Sequence, residues 1–155
     1  MTIFGKPLSA YFALAKVFLA LILVVGIARL ALSLGGVPNT TARWMWIGIL
    51  YFAIKVHTTG FGTYRHLLPI YFLQSLAAQA VIVPAIILAI VTGQDNIFSI
   101  PEFSFGSDGK TWGHVAAHLF IGTTVGTLVA WLAGCLIMFV TRKVTGDKAP
   151  SVARA

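Results

Sequence analysis

The chain has 155 residues, 58% of them hydrophobic and only 10% charged, with a formal net charge of +7. Its mean hydropathy is +0.91, whereas a soluble domain carries about 25% charged residues. Charges this sparse cannot keep a folded surface wet, which excludes an ordinary cytosolic enzyme, a disordered chain and a nucleic-acid binder with a basic groove. The single cysteine, Cys135, excludes an internal disulfide framework and any CxxC redox or zinc motif.

A helix crosses a hydrocarbon core of about 30 Å with about 20 mostly apolar residues. Four stretches meet that length, so the chain reads as an all-α polytopic membrane protein: one integral domain built as a bundle of four transmembrane helices. The first spans about 11–34 and stops at Gly35-Gly36-Val37-Pro38. Its apolar run is too long for a signal peptide and contains Lys16, and no A-x-A-like cleavage site follows, so an uncleaved helix is expected. The second spans about 41–59 and gives way to Thr59-Gly60-Phe61-Gly62.

The third span, about 69–91, opens on Pro69, a good first-turn residue. Lipid would penalise its Gln74, Ser75 and Gln79, which are therefore expected to face inward, and Pro84 is expected to kink it. The loop at 92–110 holds Ile97, Phe98, Ile100, Phe103 and Phe105, too apolar for a free loop, and should lie on the membrane surface or cap the bundle. Residues 103–110 alternate and then reach Asp108-Gly109, a pattern for a small hairpin. The fourth span covers about 111–141, and the basic tail at about 146–155 is expected to be mobile.

Charge gives the direction. Four spans place both termini and the 59–68 loop on one side, with Lys6, Lys16, Lys55, Arg65, Arg142, Lys143, Lys148 and Arg154 against Asp147 alone. The other side has Arg29, Arg43 and Lys110 against Asp95, Glu102 and Asp108. The positive-inside rule then puts both termini in the cytoplasm and the chain in the inner membrane. Trp44, Trp46 and Trp112 fall at the outer ends of the spans, and Tyr11, Tyr64 and Tyr71 at the cytoplasmic ends, as aromatic belts require. Positive charge on this pattern addresses membrane lipid headgroups rather than nucleic acid.

The four acids exclude more than they offer. None occurs in residues 1–94 and none lies within a span, so a carboxylate proton relay, a di-iron bundle and a paired-carboxylate hydrolase cannot be built inside the membrane. No G-x-S-x-G segment exists to hold a nucleophilic serine. A four-span chain of this length invites comparison with the membrane proteins of eicosanoid and glutathione metabolism. Their acidic and asparagine-containing helix motifs have no counterpart in the second span, and no family is assigned.

Bases and histidines supply the candidate sites. Lys16 and Arg29 in the first span, and Arg43 and Lys55 in the second, stand closer together than the hydrocarbon thickness. They either snorkel or find acidic partners such as Asp95, Glu102 or Asp108. Lys55, His57, Arg65 and His66 flank a glycine- and threonine-rich loop that can hold an anion such as a lipid headgroup; it lacks the spacing of a nucleotide-binding loop. His114 and His118 lie four apart on one helix face, a spacing that suits two imidazoles on one metal. Two histidines on one helix cannot ligate both faces of a haem, so bis-histidine haem would require a second subunit.

Gly122, Gly126, Ala130 and Gly134 recur every fourth residue, letting a neighbouring helix approach closely, either within the chain or in an oligomer. No cofactor is required by these residues, although a metal or haem remains open. The leading functional expectation is a non-enzymatic accessory or assembly subunit, or a homo-oligomer, working through helix–helix contacts with itself or a larger membrane complex. The alternatives are a transporter-like or anionic-lipid-binding protein using the basic loop, and a metal- or haem-binding protein using His114 and His118.

Overall fold

The computed structural model describes residues 1–37, 45–100 and 108–146, and the side chains of all of these but Met45 and Trp46. A two-stranded antiparallel hairpin opens the chain, β1 (Thr2–Ile3) pairing with β2 (Lys6–Pro7). Phe4 and Gly5 both take positive φ, 51° and 82°, the requirement of a two-residue turn whose twist matches its strands. Four helical regions follow: α1 (Leu8–Leu34), α2 (Met45–Thr58), α3 (Tyr64–Thr92), and a last region made of α4 (Trp112–Ala117), a π-helical turn (His118–Gly122) and α5 (Thr123–Thr145).

Three helices, Leu8–Leu34, Tyr64–Thr92 and Trp112–Thr145, are long and apolar enough to cross a membrane. Their outward faces are apolar as well. Val24, Leu132 and Leu136 are each more than 60% exposed, a surface suited to lipid rather than water. These features mark the chain as a membrane protein. The described part of α2 has 14 residues, about 21 Å at 1.5 Å per residue, and is apolar but shorter than a full span. The expected start of that helix at 41–44 lies outside the described residues, as do Arg43, Trp44, Glu102, most of the loop hairpin expected at 103–110, and the tail beyond Gly146. Among the described residues the hairpin is at the N-terminus.

Two helix starts differ from expectation for a local reason. Pro7 sets up α1, which begins at Leu8, because a fixed φ near −65° suits the position just before a helix. Helix α3 begins at Tyr64, five residues before Pro69. The cause is Thr63 and His66: the Thr63 N–H donates to His66 Nδ1 at 2.9 Å, so the imidazole does what Glu or Gln does in a capping box. Gly93, at φ 72°, closes α3 in the left-handed conformation. The helix continues through Pro84.

Order along the chain does not by itself set the packing: the main partner of α1 is α3, not the α2 that follows it. Helix α1 packs chiefly on α3, α3 also packs on α5, and α5 packs on α2. Tyr11 lies beside His66 and Gly26 against Val81, so α1 and α3 run parallel in one register. The ring of His57 meets Thr145, so α2 and α5 end together. Phe18 completes the circuit, with its ring against Tyr51 and Phe52 of α2.

The bundle therefore has two ends. The basic end carries the hairpin, the 59–63 turn and the close of α5; the loop end carries residues 93–100 and the start of α4. The core of the basic half is aromatic, with Tyr11, Phe52, Leu67, Ile70, Tyr71 and Met138 almost fully buried.

Candidate functional site

At the basic end, side chains sort by what their nitrogens contact. His66 is 5% exposed. Its Nδ1 accepts from Thr63, so Nε2 carries the proton and donates to the Phe4 carbonyl at 3.2 Å. Both ring nitrogens are thus committed, Nδ1 to capping α3 and Nε2 to holding the hairpin on it. His57 is 4% exposed and ties α2 to α5 through Nε2 and the Thr145 hydroxyl at 2.9 Å. The expected anion-binding quartet of Lys55, His57, Arg65 and His66 is therefore reorganised: its histidines are buried structural groups, and its cations lie against rings.

Those cations belong to a wider pattern. Lys6 stands over Phe61 at 4.8 Å from the ring centre, and Lys55 over Tyr51 at 4.9 Å. Arg65 covers Phe4 at 5.6 Å, Arg142 covers Tyr64 at 5.4 Å, and Lys143 covers Phe139 at 5.6 Å. Lys55 also donates to the Tyr51 hydroxyl. A ring face attracts a cation by its quadrupole, worth about 0.5–1 kcal/mol at an exposed site, and orients it without cancelling its charge.

Between two of these pairs is a cavity of about 470 Å³, lined by Tyr64, Phe139, Arg142, Lys143 and Gly146. The Trp131 indole N–H donates to the Tyr64 carbonyl at 2.9 Å and fixes α5 against the start of α3 there. Reading Arg142 and Lys143 as markers of topology and as charges toward lipid headgroups did not place this cavity. The four-residue spacings Tyr51–Lys55 and Phe139–Lys143 were visible as same-face pairs; Arg142 on Tyr64 joins two helices and was not.

The glycine ridge faces α3. A Cβ at Gly134 would stand 2.3 Å from the Tyr71 hydroxyl oxygen, and one at Gly122 would stand 2.7 Å from Gln79 Nε2. Gly126 has only the Ser75 hydroxyl nearby, at 4.0 Å. With Ala130, it lines a cavity of about 370 Å³ in the middle of the bundle, along with Tyr71, Gln74, Ser75 and Gln79. Gln74 and Ser75 are buried, at 2% and 8% exposure, and Tyr71 donates to the Ile49 carbonyl at 2.8 Å.

The loop end is held by charge and by backbone contact. Lys110 binds Asp95 at 2.7 Å and Asp108 at 3.5 Å. Asn96, Ile97 and Ser99 are buried; the Asn96 amide donates to the Ala85 carbonyl at 2.7 Å and its oxygen accepts from the Phe98 N–H at 2.9 Å. The described start of the loop thus caps the bundle. Gly109 lies directly on Ser99, whose carbonyl oxygen would be 2.1 Å from any Cβ there.

His114 and His118 sit beside this loop base with ring centres 4.8 Å apart. No group of three or more His, Cys, Asp or Glu suited to a metal occurs among the described residues. Comparison with known protein families, with curated proteins and with solved structures finds no match to this chain, so its function is argued from its own residues.

Proposed function

We propose that this protein is a four-span inner-membrane protein, with both termini in the cytoplasm, that binds anionic lipid headgroups at its basic end. The cavity between Tyr64, Phe139, Arg142 and Lys143 is the observation that carries the reading. A phosphate diester needs fixed cations at the depth of the headgroups, beside surface that tolerates acyl chains. Arg142 and Lys143 supply the charge, Tyr64 and Phe139 orient it, and the exposed apolar flank of α5 continues into the hydrocarbon. Lys6 and Arg65, each held over a ring, add to the attraction at about 1 kcal/mol per cation near an anionic surface. The positive-inside rule supports the cytoplasmic assignment, and the second span would be completed by residues before Met45.

This reading ranks above assembly through the glycine ridge because Gly122 and Gly134 already face Gln79 and Tyr71 of the same chain. The test is native mass spectrometry of the protein released from a mild detergent in the presence of phosphatidylglycerol and phosphatidylcholine. Retention of phosphatidylglycerol in preference to the zwitterionic lipid, falling at least tenfold in Arg142→Ala/Lys143→Ala, is the expected result. Equal retention of both lipids, or no effect of the double substitution, would overturn the proposal.

A further inference from the structure

The loop end holds a second pair of nitrogen donors that lipid binding does not use. His114 lies in α4 and His118 begins the π-helical turn, so the four-residue spacing puts both rings on one face at the point where the helix widens. Their ring centres are 4.8 Å apart and their planes tilted by 56°.

Each ring is anchored by the same nitrogen. His114 Nδ1 meets the Gly109 carbonyl oxygen at 2.8 Å, and His118 Nδ1 meets Gln79 Oε1 at 3.1 Å. Both partners are oxygen acceptors without a proton, so both Nδ1 atoms carry one. In a neutral imidazole the lone pair is then at Nε2. Neither Nε2 has a hydrogen-bond partner among the described residues. A ring held by Nδ1–H on a carbonyl-type oxygen, with Nε2 left to ligate, is the arrangement that orients metal-binding histidines.

The anchors come from two different elements, Gly109 from the loop base and Gln79 from α3, so the orientation of the pair is a product of the fold and not of the helix alone. Imidazole nitrogens bind such ions at about 2.0–2.1 Å and so lie about 3 Å apart across one ion. Ring centres 4.8 Å apart put the two imidazoles in the range of neighbours on a single ion, needing only a pivot about each Nδ1 anchor to bring the Nε2 atoms to it. Both rings are half-buried at the surface end of the bundle, within reach of ions in water.

We propose that His114 and His118 bind one divalent transition-metal ion through their Nε2 atoms, with water filling the remaining positions. Two neutral imidazoles favour Cu(II) over Zn(II) and discriminate against Mg(II) and Ca(II), which prefer oxygen. Asp95 and Asp108 are both engaged by Lys110, which leaves the ion an all-imidazole protein shell among the described residues. Gln79 is a positioning residue, since it touches His118 and not the ion.

The probe is Cu(II) added to detergent-solubilised protein prepared without a polyhistidine tag. One equivalent per chain is expected, with electron paramagnetic resonance showing two coordinated imidazole nitrogens. His114→Gln and His118→Gln should each weaken binding at least tenfold, and Gln79→Leu should weaken it less while keeping the two-nitrogen spectrum. Should the substitutions impair folding, the unaltered protein still decides the matter: Cu(II) must shield His114 and His118 from acylation by diethylpyrocarbonate. No saturable Cu(II) binding, an unchanged spectrum when His114→Gln and His118→Gln are combined, or equal acylation with and without Cu(II) would overturn the proposal.

Discussion

The two ends of this bundle manage positive charge in opposite ways. At the loop end, Lys110 lies between two carboxylates, at 2.7 and 3.5 Å, and its charge is neutralised where it stands. At the basic end five cations lie over five aromatic rings, which hold them in place, and a ring, unlike a carboxylate, does not cancel the charge it orients. An ion pair closes a structure; a cation on a ring remains able to attract an anion from outside. The contrast makes one end a tightly closed loop base and leaves the other with its cations seated on rings.

The sharpest break of this comparison is at Gly109. Its Cβ would meet the Ser99 carbonyl oxygen at 2.1 Å, and backbone cannot move aside as a side chain can. Gly109→Ala should lower the stability of the solubilised protein by about 3 kcal/mol, measured by thermal unfolding, and should open the loop base to protease. Next comes Asn96→Ala, which removes a buried amide bonded to Ala85 and Phe98. A cost of about 2 kcal/mol is expected because both backbone partners are left in a dry site.

Gly134→Ala forces the Tyr71 hydroxyl away from its bond to Ile49, for about 1–2 kcal/mol. It should leave lipid preference at the basic end intact, separating packing from charge. Phe139→Leu reverses that pattern. It removes one ring beneath Lys143, costs less than about 1 kcal/mol of stability, and should reduce phosphatidylglycerol retention severalfold.

The smallest effect is on pH dependence. The Lys110 backbone N–H holds the Asp108 carboxyl below its ordinary range, and the hydrogen bond that the Lys110 ammonium donates to Asp95 holds that ammonium above its own. A depressed carboxyl stabilises above its unfolded pKa, about 3.9, and loses that contribution as pH falls through the folded value. A raised ammonium stabilises below about 10.4 and loses its contribution as pH rises through the folded value. The difference in melting temperature between the native protein and Lys110→Met should therefore be flat from about pH 5 to 9 and shrink above it, while the acid limb of Asp108, held chiefly by a backbone N–H that Met keeps, should appear in both proteins. Among the described residues the basic end contains no carboxylate and offers no such acid limb.

Much of the architecture was legible in the residues. Runs of apolar side chains without acids announced four spans, of which three are helices long and apolar enough to cross a membrane while the described part of α2 is shorter, and the polar trio of α3 was read as inward-facing, where Gln74 and Ser75 are buried. Helix starts were less legible. Pro69 looked like a beginning because proline favours the first turn, but a threonine and a histidine three residues apart capped the helix earlier. Local sequence grouped Lys55 with His57 and Arg65 with His66 as a candidate anion site, whereas the fold buries both histidines and lines a cavity with Tyr64, Arg142 and Lys143.

The sequence by itself determined that the chain belongs in lipid, that its surplus charge gathers toward one end, and that no acid lies within its spans. These follow from composition and from the one-dimensional spacing of apolar and charged residues, which burial in a bilayer makes decisive. Only the tertiary structure decided which helices touch, because short connections permit several packings and α1 takes α3 rather than α2 as its main partner. It also decided which histidines are consumed and which retain a lone pair. A ring's protonation pattern depends on the oxygen or N–H that another segment brings to it: Phe4 for His66, Gly109 for His114 and Gln79 for His118.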